Sequence, residues 1–232
     1  MSNSIGLTLK TIRLFEGLSP SILNNLEDKC RWQQHDAYNQ IIDNGSESAD
    51  IFFVLEGCVR ILNYSLSGKE IILNDVNSGG YFGELSAIDN FPRSASAIAL
   101  VDCSLAVLGQ ETLLTLLREN SSIALRVMQN LSKMVRISTN RIMELSTVAA
   151  NNRVLFELLR RARENLVSEN SANIQPIPRH SEIASRVSTT RETVSRVMND
   201  LARKGIVERK KDSIIVNDIK LLNKIIYQSE TN

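Results

Sequence analysis

Between residues 180 and 211, side chains able to read nucleic acid recur at helical spacing. Arg191, Glu192, Ser195 and Arg196 follow one another at steps of one, three and one, which places them on one face at the start of a helix. Val194, Val197, Met198 and Leu201 form the opposite, apolar face. An arginine can donate two parallel hydrogen bonds to O6 and N7 of guanine, and a carboxylate can accept from the amino group of cytosine. A recognition helix presents such groups at its N-terminal end, in the major groove. Arg179, Arg186, Arg203, Lys204, Arg209, Lys210 and Lys211 are spaced to meet phosphates, which set register without reading sequence.

The elements that must position these residues are legible around them. Residues 180–187 carry Ile183, Ala184 and Val187 on one face of a short amphipathic helix, and Ser188-Thr189 reads as a turn. Thr189-Thr190-Arg191-Glu192 fits the S/T-x-x-E capping box, so a second helix is expected to begin near Thr190 and to stop near Gly205. Residues 206–208 and 214–216, flanking Lys210-Lys211-Asp212, read as a small hairpin wing. Helix pairs with a basic face also occur in proteins that bind no nucleic acid; the capping box and the wing favour the DNA-reading alternative.

At 232 residues the chain has room for two medium domains, and 43% hydrophobic with 23% charged residues excludes a disordered or collagen-like chain. The net charge of +1 hides a sorted distribution. Residues 1–119 hold 8 basic and 15 acidic side chains, net −7; 120–178 are net +4, 179–211 net +5 and 212–232 net −1. An acidic front and a basic back imply two tasks. No signal sequence or spanning segment is visible, so a cytoplasmic location without membrane association is expected. Cys30, Cys58 and Cys103 lack metal-site spacing and read as buried reduced thiols; His35 and His180 stand apart from other metal-ligand types.

In residues 10–35, Leu14, Phe15 and Leu18 lie on short helical pieces, Ser19-Pro20 reads as a helix N-cap with proline at the first position, and Trp32 is expected to pack this lobe on the neighbouring β segment. From Tyr38 to Leu108, short apolar runs broken by glycine predict an antiparallel sandwich or barrel, with Ser67-Gly68 at a hairpin turn. From Gly109 to about Val167 the period is helical. Ala124, Met128, Leu131, Val135, Ser138, Ile142 and Leu145 alternate at steps of four and three, a heptad seam with one polar member. That seam fits either a long helix lying on its own β domain or a parallel homodimer. Residues 170–173, before Pro176 and Pro178, read as a loop, and 218–227 as a short helix against the wing.

Residues 191–196, Arg-Glu-Thr-Val-Ser-Arg, within a helix-turn-helix, closely resemble the recognition signature of the Crp/Fnr superfamily and its cyclic-AMP receptor branch. Residues 82–88 together with 91–95 resemble, independently, the phosphate-binding cassette of cyclic-nucleotide-binding domains. The likeness spans roughly residues 10–217 and implies an α+β protein. Its parts would be an N-terminal antiparallel β-roll over 1–119, a dimerisation helix over 120–148 and a winged helix-turn-helix over 149–232. It implies further that backbone amides after Gly83 and at Leu85 cradle a phosphate, that Arg93 and Ser94 donate to its oxygens, and that Glu84 accepts from the ribose. Ser138 and Thr139 fall where that branch carries two hydroxyls beside the adenine, which would account for the polar member of the seam. Arg191, Glu192 and Arg196, with Ser195 beside them, would read TGTGA-type half-sites. His180 stands where an arginine is usual, and Gly80 where aspartate is frequent.

The expected partners are therefore cAMP as allosteric ligand, double-stranded DNA, a second copy of the chain and RNA polymerase, with no resident cofactor and no catalytic residue. The alternative within the same fold is a response to another effector, such as cGMP or 2-oxoglutarate, or none at all. An enzyme acting on nucleotides finds no support, since there is no P-loop, metal-ligand cluster or Ser/His/Asp constellation.

Overall fold

The computed structural model describes residues 8–228, so the outermost parts of the expected first and last domains, 1–7 and 229–232, lie outside the described residues. The chain forms two compact units, one up to residue 134 and one from 135 onward.

In the first unit, two short 3-10 turns bring Leu9, Leu14 and Phe15 into the core. Helix α1 (Pro20–Lys29) follows, with the Ser19 hydroxyl accepting from the Ile22 amide as its cap. Eight strands come next: β1 (Arg31–His35), β2 (Gln40–Ile42), β3 (Ile51–Glu56), β4 (Cys58–Tyr64), β5 (Glu70–Asn77), β6 (Tyr81–Phe82), β7 (Ser96–Ala99) and β8 (Cys103–Leu108), with helix α2 (Glu84–Asp89) between β6 and β7. They form two four-stranded antiparallel sheets, ordered β1-β8-β3-β6 and β2-β7-β4-β5.

The unbroken apolar run in β3 follows from burial on both faces. Ile51, Phe53 and Leu55 point into a core shared with the helices, while Phe52 and Val54 point into the core between the sheets. β8 repeats the division, Ala106 and Leu108 on one side and Leu105 and Val107 on the other. Helix α3 (Gln110–Glu119) closes the helical side through Leu113 and Leu116.

Helix α4 (Ser121–Thr147) is 27 residues long. Its start is anchored in the first unit by Ile123 and Val127, with Leu131 packed beside them. From Ser132 to Asn140 every residue is exposed. Of the heptad seam, Met128, Val135, Ile142 and Leu145 are 48–64% exposed.

The second unit continues with α5 (Ala150–Glu164), β9 (Ala172–Ile174), α6 (His180–Arg186), α7 (Arg191–Arg203), β10 (Val207–Arg209), β11 (Ile214–Val216) and α8 (Ile219–Gln228). Its core joins Val154, Leu158 and Ala162 of α5 to Ile183, Val194, Leu201, Val216 and Leu222. Among the described residues one charge is buried there: Glu157 accepts from Arg160 Nη1 at 2.8 Å and Arg161 Nε at 2.9 Å, and Arg161 Nη2 reaches Glu182 at 2.8 Å.

Several expectations change. Of the three cysteines only Cys103 is buried, Cys30 and Cys58 being half-buried, and Trp32, on the edge strand β1, is partly covered at 36% exposure. Ala172 and Asn173 belong to a strand, not a loop, since β9 adds to the wing as the third strand in the order β10-β11-β9. Helix α8 packs on α5, its Leu222 and Ile226 completing the core. The helix cap shifts by one residue: Thr190, not Thr189, accepts from the Thr193 amide, and Thr189 is buried.

Candidate functional site

The first candidate site forms where β6 ends. Gly83 has a φ of 82°, in the left-handed region that favours glycine. A Cβ there would lie 2.7 Å from Arg93 Nη1 and 3.0 Å from the Asp50 carbonyl oxygen, so both conformation and space require glycine.

Arg93 is only 3% exposed. Its guanidinium donates from Nε to Ser48 Oγ at 2.9 Å, from Nη1 to the Gly83 carbonyl at 2.9 Å and from Nη2 to the Asp50 carbonyl at 2.7 Å. It lies 5.6 Å from the centre of the Phe52 ring. All three hydrogen-bond acceptors are neutral, and among the described residues no carboxylate forms an ion pair with it. Burial pulls its pKa down, against the more distant charges of Asp50 and Glu84. Glu84, 6% exposed, is the first residue of α2; burial pushes its pKa up, opposed by its own backbone N–H and by Arg93. The site thus holds a buried cation with no ion-pair partner among the described residues, beside a carboxyl whose ionised form burial disfavours.

Gly83, Glu84 and Arg93 are brought together. Leu85 is 37% exposed on α2. Ser94 is exposed, and its carbonyl accepts from Asn63 Nδ2 at 3.0 Å. Ser138 and Thr139 belong to the second unit, in the exposed stretch of α4, where the Thr139 hydroxyl donates to the Val135 carbonyl at 3.0 Å. At Gly80 a Cβ would fall 2.7 Å from Val76 Cγ1 and 3.0 Å from the Asn77 carbonyl oxygen, so the local packing suits glycine. Sequence reasoning missed Ser48 and Asp50 as partners of Arg93; at separations of 45 and 43 residues no local pattern could reveal them.

The second candidate site is the outer face of α7. Arg191, Glu192, Ser195, Arg196, Asn199, Ala202 and Arg203 line one concave surface. Asn199 was also missed, although it lies four residues after Ser195 and so on the same stripe. The amide of Glu192 and the Thr190 hydroxyl hold the Glu192 pKa below the ordinary carboxylate value, with a smaller contribution from Arg191, which favours the ionised form. His180, half-buried at the start of α6, is held toward its neutral form by burial and by the charges of Arg209 and Arg191. Arg186 does not join the phosphate-facing set. Its side chain is 13% exposed, with Nε 3.5 Å from Glu182 and 3.9 Å from Glu157. Among the described residues no group of His, Cys, Asp and Glu is arranged to hold a metal ion, and no helix is long and apolar enough to cross a membrane.

Comparison with known proteins covers both sites. Residues 34–120 match the cyclic nucleotide-binding domain and residues 152–225 the Crp-like helix-turn-helix domain. The chain is 32% identical to the cyclic AMP receptor protein of Thermus thermophilus over 219 residues, covering 94% of this chain and 99% of that one. Among solved structures, a CooA mutant from Carboxydothermus hydrogenoformans superposes with a TM-score of 0.77 at 21% identity, over 89% of this chain and 94% of the other. The c-di-GMP responsive regulator CLP of Xanthomonas campestris superposes with a TM-score of 0.71 at 19% identity, over 85% and 99%. At those identities the two structures speak to the fold alone.

Proposed function

The chain belongs to the Crp/Fnr family of DNA-binding transcription regulators with a cyclic-nucleotide-binding domain, and from that premise we propose that it works as a cAMP-responsive homodimer reading TGTGA-type palindromic half-sites. The observation that carries the ligand is Arg93. A guanidinium at 3% exposure, bonded only to neutral acceptors, is costly to keep unless an anion joins it. Three of its five N–H donors are engaged, which leaves two for phosphate oxygens. A phosphodiester with one negative charge matches that demand. Glu84, beside it, supplies an acceptor for a ribose hydroxyl, and Leu85 and Ser94 complete the cassette.

Ser138 and Thr139 are assigned to the adenine, and the exposed residues Met128, Val135, Ile142 and Leu145 to the dimer seam. Such a row would pair with the same row on a second copy, in the self-complementary manner of a two-fold interface. Two α7 helices about 34 Å apart would then meet successive major grooves. Arg191, Glu192 and Arg196 read base edges, with Ser195 beside them and His180 as a neutral contact to the backbone. Ligand binding shifts the population toward the DNA-competent dimer to the extent that it favours that state. RNA polymerase is the further partner of a regulator of this kind, and the cytoplasm its place of work.

The test is a titration of cAMP, cGMP and 2-oxoglutarate into the full chain, followed by binding to a TGTGA palindrome. Tight DNA binding dependent on cAMP is expected. A response to another effector, or none, would overturn the ligand assignment while leaving the family intact.

A further inference from the structure

We propose that Ser48 is a positioning residue for Arg93, holding its guanidinium plane in the orientation that meets the ligand's phosphate; this rests on the assignment of Arg93 to that phosphate. The Asp50 and Gly83 carbonyls hold the two terminal nitrogens, at 2.7 and 2.9 Å. A planar group held at two points keeps a hinge through them. Ser48 Oγ, accepting from Nε at 2.9 Å, is a third point off that line and removes the rotation. It is the one contact of the three made by a side chain, and so the one that substitution can delete.

The segment carrying Ser48 is itself fastened to Arg93. The Gly45 amide donates to the Arg93 carbonyl at 2.8 Å, and the Arg93 amide to the Ser46 carbonyl at 2.9 Å. One residue earlier, the Asn44 amide donates to Ser96 Oγ at 3.1 Å. Both ends of the arginine are therefore referenced to residues 44–50: its backbone through Gly45 and Ser46, its head through Ser48 and Asp50. With Nε bonded, the remaining donors belong to the terminal nitrogens, which form the fork suited to phosphate.

The experiment compares Ser48→Ala, Ser48→Thr and Arg93→Leu in the full chain, reading cAMP affinity by calorimetry, melting temperature, and hydrogen exchange of the Arg93 Nε–H by NMR. The Nε–H signal is assigned by its disappearance in Arg93→Leu. Ser48→Ala should weaken cAMP binding about threefold to tenfold, less than the loss of a charged hydrogen bond to the ligand itself, because the Ser48 bond is present with and without ligand. It should also lower the melting temperature by a few degrees, since the Nε–H loses its acceptor, and speed Nε–H exchange. Ser48→Thr, which keeps the hydroxyl, should restore all three. In the Arg93→Leu background, Ser48→Ala should add nothing. Wild-type affinity, or unchanged Nε–H exchange, in Ser48→Ala overturns the positioning role alone. Wild-type affinity in Arg93→Leu overturns the phosphate assignment and the inference with it.

Discussion

Replacing Arg93 by leucine removes the buried cation while filling much of its volume, and the structure sets the scale of the effect. The guanidinium has two N–H groups beyond the three bonded to Ser48, Gly83 and Asp50. A hydrogen bond involving a charged group contributes about 1.5–3 kcal/mol. Two such bonds to phosphate amount to about 3–6 kcal/mol, or a loss of roughly two to four orders of magnitude in affinity. Folding is affected far less, because opposing changes meet. The Asp50 carbonyl loses a partner, at about 1–3 kcal/mol, while the desolvated charge disappears. The Gly83 carbonyl keeps a bond from the Ala87 amide at 3.4 Å. Calorimetric titration of cAMP, with sedimentation to confirm the dimer, measures both sides. Affinity within threefold of wild type in a folded Arg93→Leu protein would refute the reasoning, since it would mean that the buried cation does not serve the ligand.

Four further outcomes are expected. Glu84→Gln should weaken cAMP binding about fivefold to fifteenfold, as a neutral acceptor replaces a charged one, yet raise the melting temperature of the ligand-free protein. Burial holds the Glu84 pKa above its ordinary value of 4.5, so ionisation costs stability as pH rises through that value toward the raised one; the advantage of glutamine should grow across this range and vanish below it. Glu192→Ala should relax preference at one base pair of the half-site by about 1–3 kcal/mol, and binding-site selection would show an unchanged profile if the carboxylate reads no base. Val135→Asp, at a seam position 64% exposed, should shift sedimentation toward the monomer; a dimer of wild-type stability would place the interface elsewhere. Ser138→Ala should weaken cAMP binding or its coupling to DNA, and wild-type behaviour in both would make the seam serine merely tolerated.

Much of the architecture could be read locally, because the responsible interactions are local. The Ser19 cap, the glycine turn at Gly68 and the apolar face of α7 depend on residues within a few positions of one another. The β3 run also announced itself, since a strand buried on both faces has no polar residues to alternate. Other features were illegible for the opposite reason. β9 is a strand because β11 offers it a ladder, although its own Ala-Asn-Ile has weak strand character. Arg186 looked like a phosphate contact until packing placed it against Glu157 and Glu182.

The same division runs through the site. The kinds of chemistry, with the glycine before Glu84, the arginine nine residues after Glu84 and the reading stripe of α7, are written in residue type and spacing, because cassette and helix are each short and continuous. Only the tertiary structure decided that Arg93 is buried among neutral acceptors and that Ser48 is one of them. Those contacts close across more than 40 residues, where chain spacing carries no distance and only packing brings the groups within 3 Å.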